Sequence, residues 1–214
     1  LAGTGMIPLF ASGHWRLEDE IERMEHLLSR RVDGVIVLTG KLSDAQIEAY
    51  AKVVPMVVTG RQMQSGQVAS LSIDNSRGAY LATRHLIDYG HTRIAHVAGP
   101  ADHIDALSRL KGYRAALEEA GIAFDPELVA HADFHEPGGV LAIHQLLATR
   151  KAFSAVFAAN DQTAFGIQLA LSRHGIRVPD EISVVGFDDL PVSSYMIPPL
   201  TTIRQPVYEM GIAA

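Results

Sequence analysis

The 214 residues are 48% hydrophobic and 20% charged and contain no low-complexity tract, so this is a chain that folds around a core and not one that stays disordered. A formal charge of −6 without any dense run of Lys or Arg leaves no stripe that could track phosphates, so these residues are not expected to hold duplex DNA themselves. The lack of cysteine excludes disulfides, thiol catalysis and thiolate metal sites, and no apolar run approaches the roughly 20 residues that cross a bilayer.

Taken from the start, Leu1–Gly5 reads as the last turn and C-cap of a helix, and at the other end Pro206–Ala214 reads as a helix just begun, so a fragment of a longer chain is expected. Apolar runs of strand length stand at Met6–Phe10, Val35–Leu38, Met56–Thr59, Leu71–Ile73, Ile94–Ala98, Ala155–Ala159 and Ile182–Phe187. Several are too continuously apolar to have a wet face, which predicts strands buried on both sides of a parallel sheet. Between them lie stretches of helical period, Leu17–Arg30, Asp44–Val53, Arg77–Tyr89, Leu107–Ala120, Gly138–Thr149 and Gln162–His174. Ser43 with Gln46 makes a capping box, and Gly90, Gly121 and Gly175 stand where left-handed C-caps are wanted. The alternation predicts an α/β protein. With seven to nine strands one continuous sheet is open to it, but the break near Asp74–Asn75 favours two doubly wound parallel-sheet lobes facing a ligand cleft, 1–74 with 204–214 and 75–203.

In open parallel sheets, ligands bind beyond the carboxyl ends of the strands. Four strand ends of the second lobe carry polar groups there: the Gly99–Arg109 loop with Asp105 and Arg109, Ala132–His135 with Phe134, Ala159–Gln162 with Asn160 and Asp161, and Asp188–Asp189. Carboxylates, amides and a guanidinium fork suit the vicinal hydroxyls of a sugar, and an aromatic face suits its C–H side. Asp161 and Asp189 have a simpler role open to them, capping the helices that follow, so Asp188 and Asn160 are the preferred ligand candidates. Arg109 reads either as a solvated residue at a helix start or as a ligand contact; a cation there opposes the helix dipole, which favours contact. A lone aromatic such as Phe134 is more often core than stacking platform.

Enzyme-like patterns fail on spacing. Gly34–Lys41 is one residue too long for a phosphate loop and Leu42 stands where a Ser or Thr should hold magnesium, while Gly3-Thr-Gly5 has Pro8 in place of a third glycine. His131, His135, Glu136 and His144 are crowded but form no His-Glu-x-x-His helix and read as solvated histidines. No nucleophile, base or metal set assembles, so an enzyme is not expected and no cofactor is assigned.

The stretch Val178-Pro-Asp-Glu-Ile-Ser-Val-Val-Gly-Phe-Asp188, with Pro198-Pro-Leu-Thr-Thr-Ile203, resembles the effector-binding half of LacI-type (lactose-repressor/galactose-repressor) transcription regulators. So do Arg31–Leu38, Pro55–Arg61, Ile73–Ala79, Leu86–Pro100, Arg109–Leu117 and Phe157–Gly166. The resemblance implies a periplasmic-binding-protein-like type I fold and a cytoplasmic homodimer. It implies a small sugar or sugar derivative as effector, which changes operator affinity through a helix-turn-helix not present in these residues, and no membrane partner. By the same resemblance Arg109 is the effector clamp, Asp188 the carboxylate from the last strand, Asn160 the amide beside it and Phe134 a side chain lining the cleft. Thr39, Gly40 and Arg61 are the contacts from the first lobe. Ser193-Ser-Tyr-Met196 resembles the family's dimer-contact segment, placing Tyr195 and Met196 near a two-fold axis. Gly60 departs from the Asp of many members. A periplasmic sugar-binding protein of an importer is the alternative on the same fold.

Overall fold

In the computed structural model the described residues are 3–38, 40–64 and 66–214, and what the sequence predicts for Leu1, Ala2 and Thr39 lies outside them. The chain divides into two compact units, residues up to Ile73 together with Pro206–Ala214, and Asp74–Gln205. The first begins with α1 (Leu17–Ser29), β1 (Val35–Leu38), α2 (Asp44–Ala51), β2 (Met56–Thr59) and β3 (Ala69–Leu71). Its strands form a parallel sheet in the order β1-β2-β3, with Val35 opposite Met56 and Val57 opposite Ala69. Met24, Ile47, Val54 and Val58 fill the core beneath it. The Ser43–Gln46 capping box opens α2 as its spacing predicts.

One predicted strand of this unit does not form. Met6–Phe10 has no strand structure, and Met6, Ile7, Leu9 and Phe10 are exposed. An apolar run becomes a strand only when a neighbour pairs its N–H and C=O groups, and β1 bonds only to β2 among the described strands. The predicted Leu71–Ile73 strand forms two residues earlier, as β3.

The second unit runs α3 (Asn75–Asp88), β4 (Ile94–Ala98), α4 (Ile104–Glu119), β5 (Val129–His131), α5 (Glu136–Ala148), β6 (Ala155–Ala158), α6 (Asp161–Arg173), β7 (Ser183–Asp188) and β8 (Thr201–Arg204). After Gln205 the chain returns to the first unit with α7 (Val207–Ala213). The all-parallel sheet has the order β5-β4-β6-β7-β8. The connection from β4 goes out to β5 on one side and that from β6 goes to β7 on the other, so the winding reverses between β4 and β6. Right-handed crossovers of opposite direction place α4 and α5 on opposite faces. The packing agrees: α3 lies against α4 and α5 against α6. Ala95, Val97, Val156 and Ala158 join the α5–α6 core. His96, one residue out of phase, stacks between its neighbour Phe157 and Tyr113 of α4 on the other face. Every residue of β4 and β6 is buried, which is why these runs carry no polar alternation.

Helix starts fall earlier than the apolar period indicates, because caps and not core contacts decide them. Asp74 accepts from the Arg77 backbone N–H at 2.8 Å, so α3 begins at Asn75. The His103 side chain accepts from the Asp105 backbone N–H at 3.2 Å, so α4 begins at Ile104 and Arg109 lies in its second turn, not at its start. The second unit also extends beyond the predicted boundary at 203. Arg204 is the register partner of Asp188 in β7–β8, and Gln205 bonds to Asp188, which keeps both residues in this unit.

Candidate functional site

The reversal between β4 and β6 opens the sheet at its carboxyl edge, and the loops after β4, β5, β6 and β7 meet there around one side chain. Arg109 projects from α4 and is only 5% exposed. Its Nε donates to Asn75 Oδ1 at 2.8 Å and its Nη1 to the Ala159 carbonyl at 2.5 Å. The guanidinium lies 3.9 Å over the Phe187 ring and 5.8 Å from that of Phe134. A buried cation is costly unless paired. Here two hydrogen bonds, an aromatic face and a nearby carboxylate offset that cost. Nη2 has no protein partner among the described residues.

The carboxylate is Asp188, the last residue of β7, whose Oδ1 stands 3.8 Å from Arg109 Nη1. That separation is too long for a hydrogen bond and short enough for strong attraction. Gln205 Nε2 donates to the same Oδ1 at 2.5 Å, while Oδ2 has no protein partner among the described residues. The Asp188 backbone has φ 124°, a conformation that L residues adopt at a cost of about 1–3 kcal/mol and that collects at functional sites. Burial pushes its carboxyl up to about 6, against the opposing pull of Arg109 and the Gln205 hydrogen bond, with Asp161 and Asp105 adding to the rise. Burial also lowers the Arg109 pKa, while Asp188, Asp105 and Asp161 raise it.

Asn160 is the N-cap of α6, its Oδ1 accepting from the Thr163 N–H at 3.0 Å. Its Nδ2 donates to the Phe134 carbonyl at 2.9 Å. One amide thus starts a helix and fixes the β5–α5 loop. Capping falls to Asn160 and not, as the simpler sequence reading has it, to Asp161. Phe134 is held at φ 67° with its ring against Gly99, where a Cβ would collide with it, and edge-on to His103 at 5.0 Å. It is half-buried and roofs the β4 loop beside Arg109. Asp105 accepts from Asn75 Nδ2 at 2.9 Å and acts on Arg109 through that amide.

Asp161 has a different office. Fully buried, it accepts from the Leu190 N–H at 2.8 Å, the Ser193 hydroxyl at 2.7 Å and the Thr202 hydroxyl at 2.5 Å. It thereby ties α6 to the segment after Asp188 and to β8, and Gly186 leaves it room, since a Cβ there would strike its carboxylate. Asp189 caps no helix either; its carboxylate accepts from Arg204 Nε at 2.5 Å.

In the first unit Arg61 bonds Asp44 at 3.3 Å and the Gly40 carbonyl at 3.5 Å. Gly40 is glycine because the Glu20 carboxylate occupies the space of a Cβ; Glu20 in turn accepts from the backbone N–H of Lys41 and Leu42 at 2.7 and 3.0 Å. Thr39 lies outside the described residues.

Residues 11–214 match the family described as periplasmic binding proteins and the sugar binding domain of the LacI family. The chain belongs to this family. It is 38% identical over 212 residues to the HTH-type transcriptional regulator GalR of Escherichia coli strain K12, covering 99% of this chain and 62% of that protein. Among solved structures, a sugar-binding transcriptional regulator of the LacI family from Escherichia coli, complexed with phosphate, superposes with a TM-score of 0.84 at 32% identity, covering 94% of this chain and 73% of that one. The transcriptional regulator CelR in complex with cellobiose does so with a TM-score of 0.81 at 37% identity, covering 91% and 61%. The chain therefore spans less than two thirds of the length of GalR.

Three partners of the central pair are hard to find by sequence reasoning: Asn75, Gln205 and the Ala159 carbonyl. Asn75 and Gln205 flank the sheet crossings and resemble cap and linker residues, and a carbonyl has no sequence signal. The dimer candidates are placed as follows. Tyr195 ends a 3-10 turn (Pro191–Tyr195) and is 82% exposed, Met196 is half-buried, and Ile197 is 96% exposed. No helix among the described residues is long and apolar enough to cross a membrane.

Proposed function

We propose that this LacI-type domain senses a small sugar or sugar derivative by gripping adjacent hydroxyls between Arg109 and Asp188. The observation that carries this reading is the pair itself: a buried guanidinium whose Nη2 has no protein partner among the described residues, beside a carboxylate whose Oδ2 has none among them either. Nη2 donates to one hydroxyl oxygen and Oδ2 accepts from the next, a division of labour that a water-filled site makes only weakly and a sugar completes. Phe134 offers the apolar side.

In the whole regulator, a cytoplasmic homodimer assembled partly through Tyr195 and Met196, the sugar binds one conformation better than the other and so alters operator affinity; only that difference in affinity can shift the balance. The names of the relatives support regulation over transport. A thermal-shift screen of sugars, sugar phosphates, polyols and nucleosides tests it, since a compound bound only by the folded state raises the melting temperature. At least one sugar must stabilise the protein and lose that effect in Arg109→Ala; a panel in which only nucleosides shift the melting point removes the sugar assignment.

A further inference from the structure

The chain passes between its two units twice, between Ile73 and Asp74 and between Gln205 and Pro206. Beside each passage stands a polar side chain bonded to one member of the central pair. At the entry, Asn75 is the first residue of α3 and is buried. Its Oδ1 accepts from Arg109 Nε and its Nδ2 donates to Asp105, so the amide is held from both ends. Gly112 makes this reach possible, because a Cβ there would collide with the Ser76 carbonyl and keep α3 from approaching α4. At the exit, Gln205 Nε2 donates to Asp188 Oδ1, and the Gln205 backbone N–H donates to the Asp188 carbonyl at 3.3 Å.

The chemistry of the two groups turns this wiring into a transmission. A guanidinium is planar, so ligand oxygens that pull on its Nη2 edge also turn its Nε–H against Asn75. The two oxygens of a carboxylate share one charge, so a hydroxyl donated to Oδ2 weakens the hold of Gln205 on Oδ1. We propose that Asn75 and Gln205 are positioning residues through which occupancy of the Arg109–Asp188 pair is communicated to the two chain passages, one passage to each member of the pair. This rests on the sugar grip proposed above, but the wiring is tested without a ligand.

The experiment is amide hydrogen exchange of this chain at residues 74–77 and at 205, 207 and 208, residue 206 being proline. Arg109→Lys, which loses the Nε donor, speeds exchange at 74–77, and Asp188→Ala, which removes the acceptor of Gln205, speeds it at 205, 207 and 208, each by about tenfold, the scale of one lost hydrogen bond, with β6 unchanged. In an Asn75→Ala background Arg109→Lys adds nothing at 74–77. In a Gln205→Met background Asp188→Ala adds nothing at 205, 207 and 208, whereas beside Gln205→Lys, which keeps an N–H donor, it does. Gln205→Met also moves the titration of Asp188 above its wild-type midpoint, with Arg109, Asp161 and Asp105 still facing it, a change that a merely structural role does not produce. Additive effects in the paired variants, or exchange at both passages that ignores Arg109 and Asp188, overturn the proposal. A parallel thermal shift with cellobiose and the screened sugars judges the grip separately: coupled passages with no sugar response leave the wiring and remove the sugar.

Discussion

Arg109 and Asp188 approach to 3.8 Å without forming a hydrogen bond, each held back by a neutral amide, Asn75 on one side and Gln205 on the other. The pair is therefore prepositioned but open. A salt bridge closed at hydrogen-bond distance would satisfy itself and leave a ligand only the task of breaking it. Arg109→Lys retains the charge but loses the fork, the Asn75 bond and the planar stack on Phe187, so under the proposed grip the melting-point rise with sugar is expected to vanish. Full retention of that rise in Arg109→Lys assigns ligand recognition elsewhere.

Asp188 and His96 give the unliganded fold opposite pH dependences. Burial holds the Asp188 carboxyl at about 6 against an ordinary 3.8, so its contribution is fully present below 3.8 and is lost as pH rises through about 6, at most roughly 2–3 kcal/mol. His96, stacked between Tyr113 and Phe157 with a buried Nε2 that has no hydrogen-bond partner among the described residues, is lowered by burial from 6.5 to about 4. Its contribution is present above 6.5 and is lost as pH falls through about 4, again about 3 kcal/mol. Between pH 4 and 6 the two offset each other. In Asp188→Asn the melting temperature should rise more steeply from pH 4 to 7 than in the wild type; identical profiles by calorimetry contradict the assignment.

Asp161→Asn replaces an acceptor-only group by an amide that presents N–H to a ring of donors: Leu190 N–H and the hydroxyls of Ser193 and Thr202. The loss is expected to be about 2–4 kcal/mol, the scale of breaking a buried charge-assisted network. Urea unfolding measures it; a change under about 0.5 kcal/mol is what a surface substitution gives and does not fit this placement.

Gly112→Ala puts a methyl group against the Ser76 carbonyl where α3 crosses α4. Backbone must yield, at about 1–3 kcal/mol, and the shift carries Asn75 away from Arg109. Lower stability together with weaker sugar response is expected, whereas Gly121→Ala, at a left-handed C-cap with open space around it, should cost stability alone.

Tyr195 and Ile197 expose large apolar side chains on one turn and its continuation. If this surface is the dimer contact, Tyr195→Asp lowers the association state without changing the melting point at high dilution. Sedimentation velocity over a hundredfold concentration range reads the difference, and unchanged association moves the two-fold interface off this turn.

The amino-acid sequence by itself determined the layers. Apolar runs without polar alternation, such as Ile94–Ala98 and Ala155–Ala158, are legible because a strand covered on both faces has no wet side to encode. The C-cap glycines Gly90, Gly121 and Gly175 are legible because only glycine enters the left-handed region freely, and all three have positive φ. Arg109, Asn160 and Asp188 are visible as polar residues at strand ends, so their neighbourhood was readable from chain order alone. Their roles were not. That Asn160 caps while Asp161 anchors β8, that Arg109 leans on Asn75, and that Met6–Phe10 stays unpaired all depend on which groups from distant segments arrive within about 3 Å, the reach of a hydrogen bond. Local pattern carries periodicity and caps; it holds no record of which buried polar group finds which partner, and at a binding site that pairing is what sets charge, orientation and the atoms left free for a ligand.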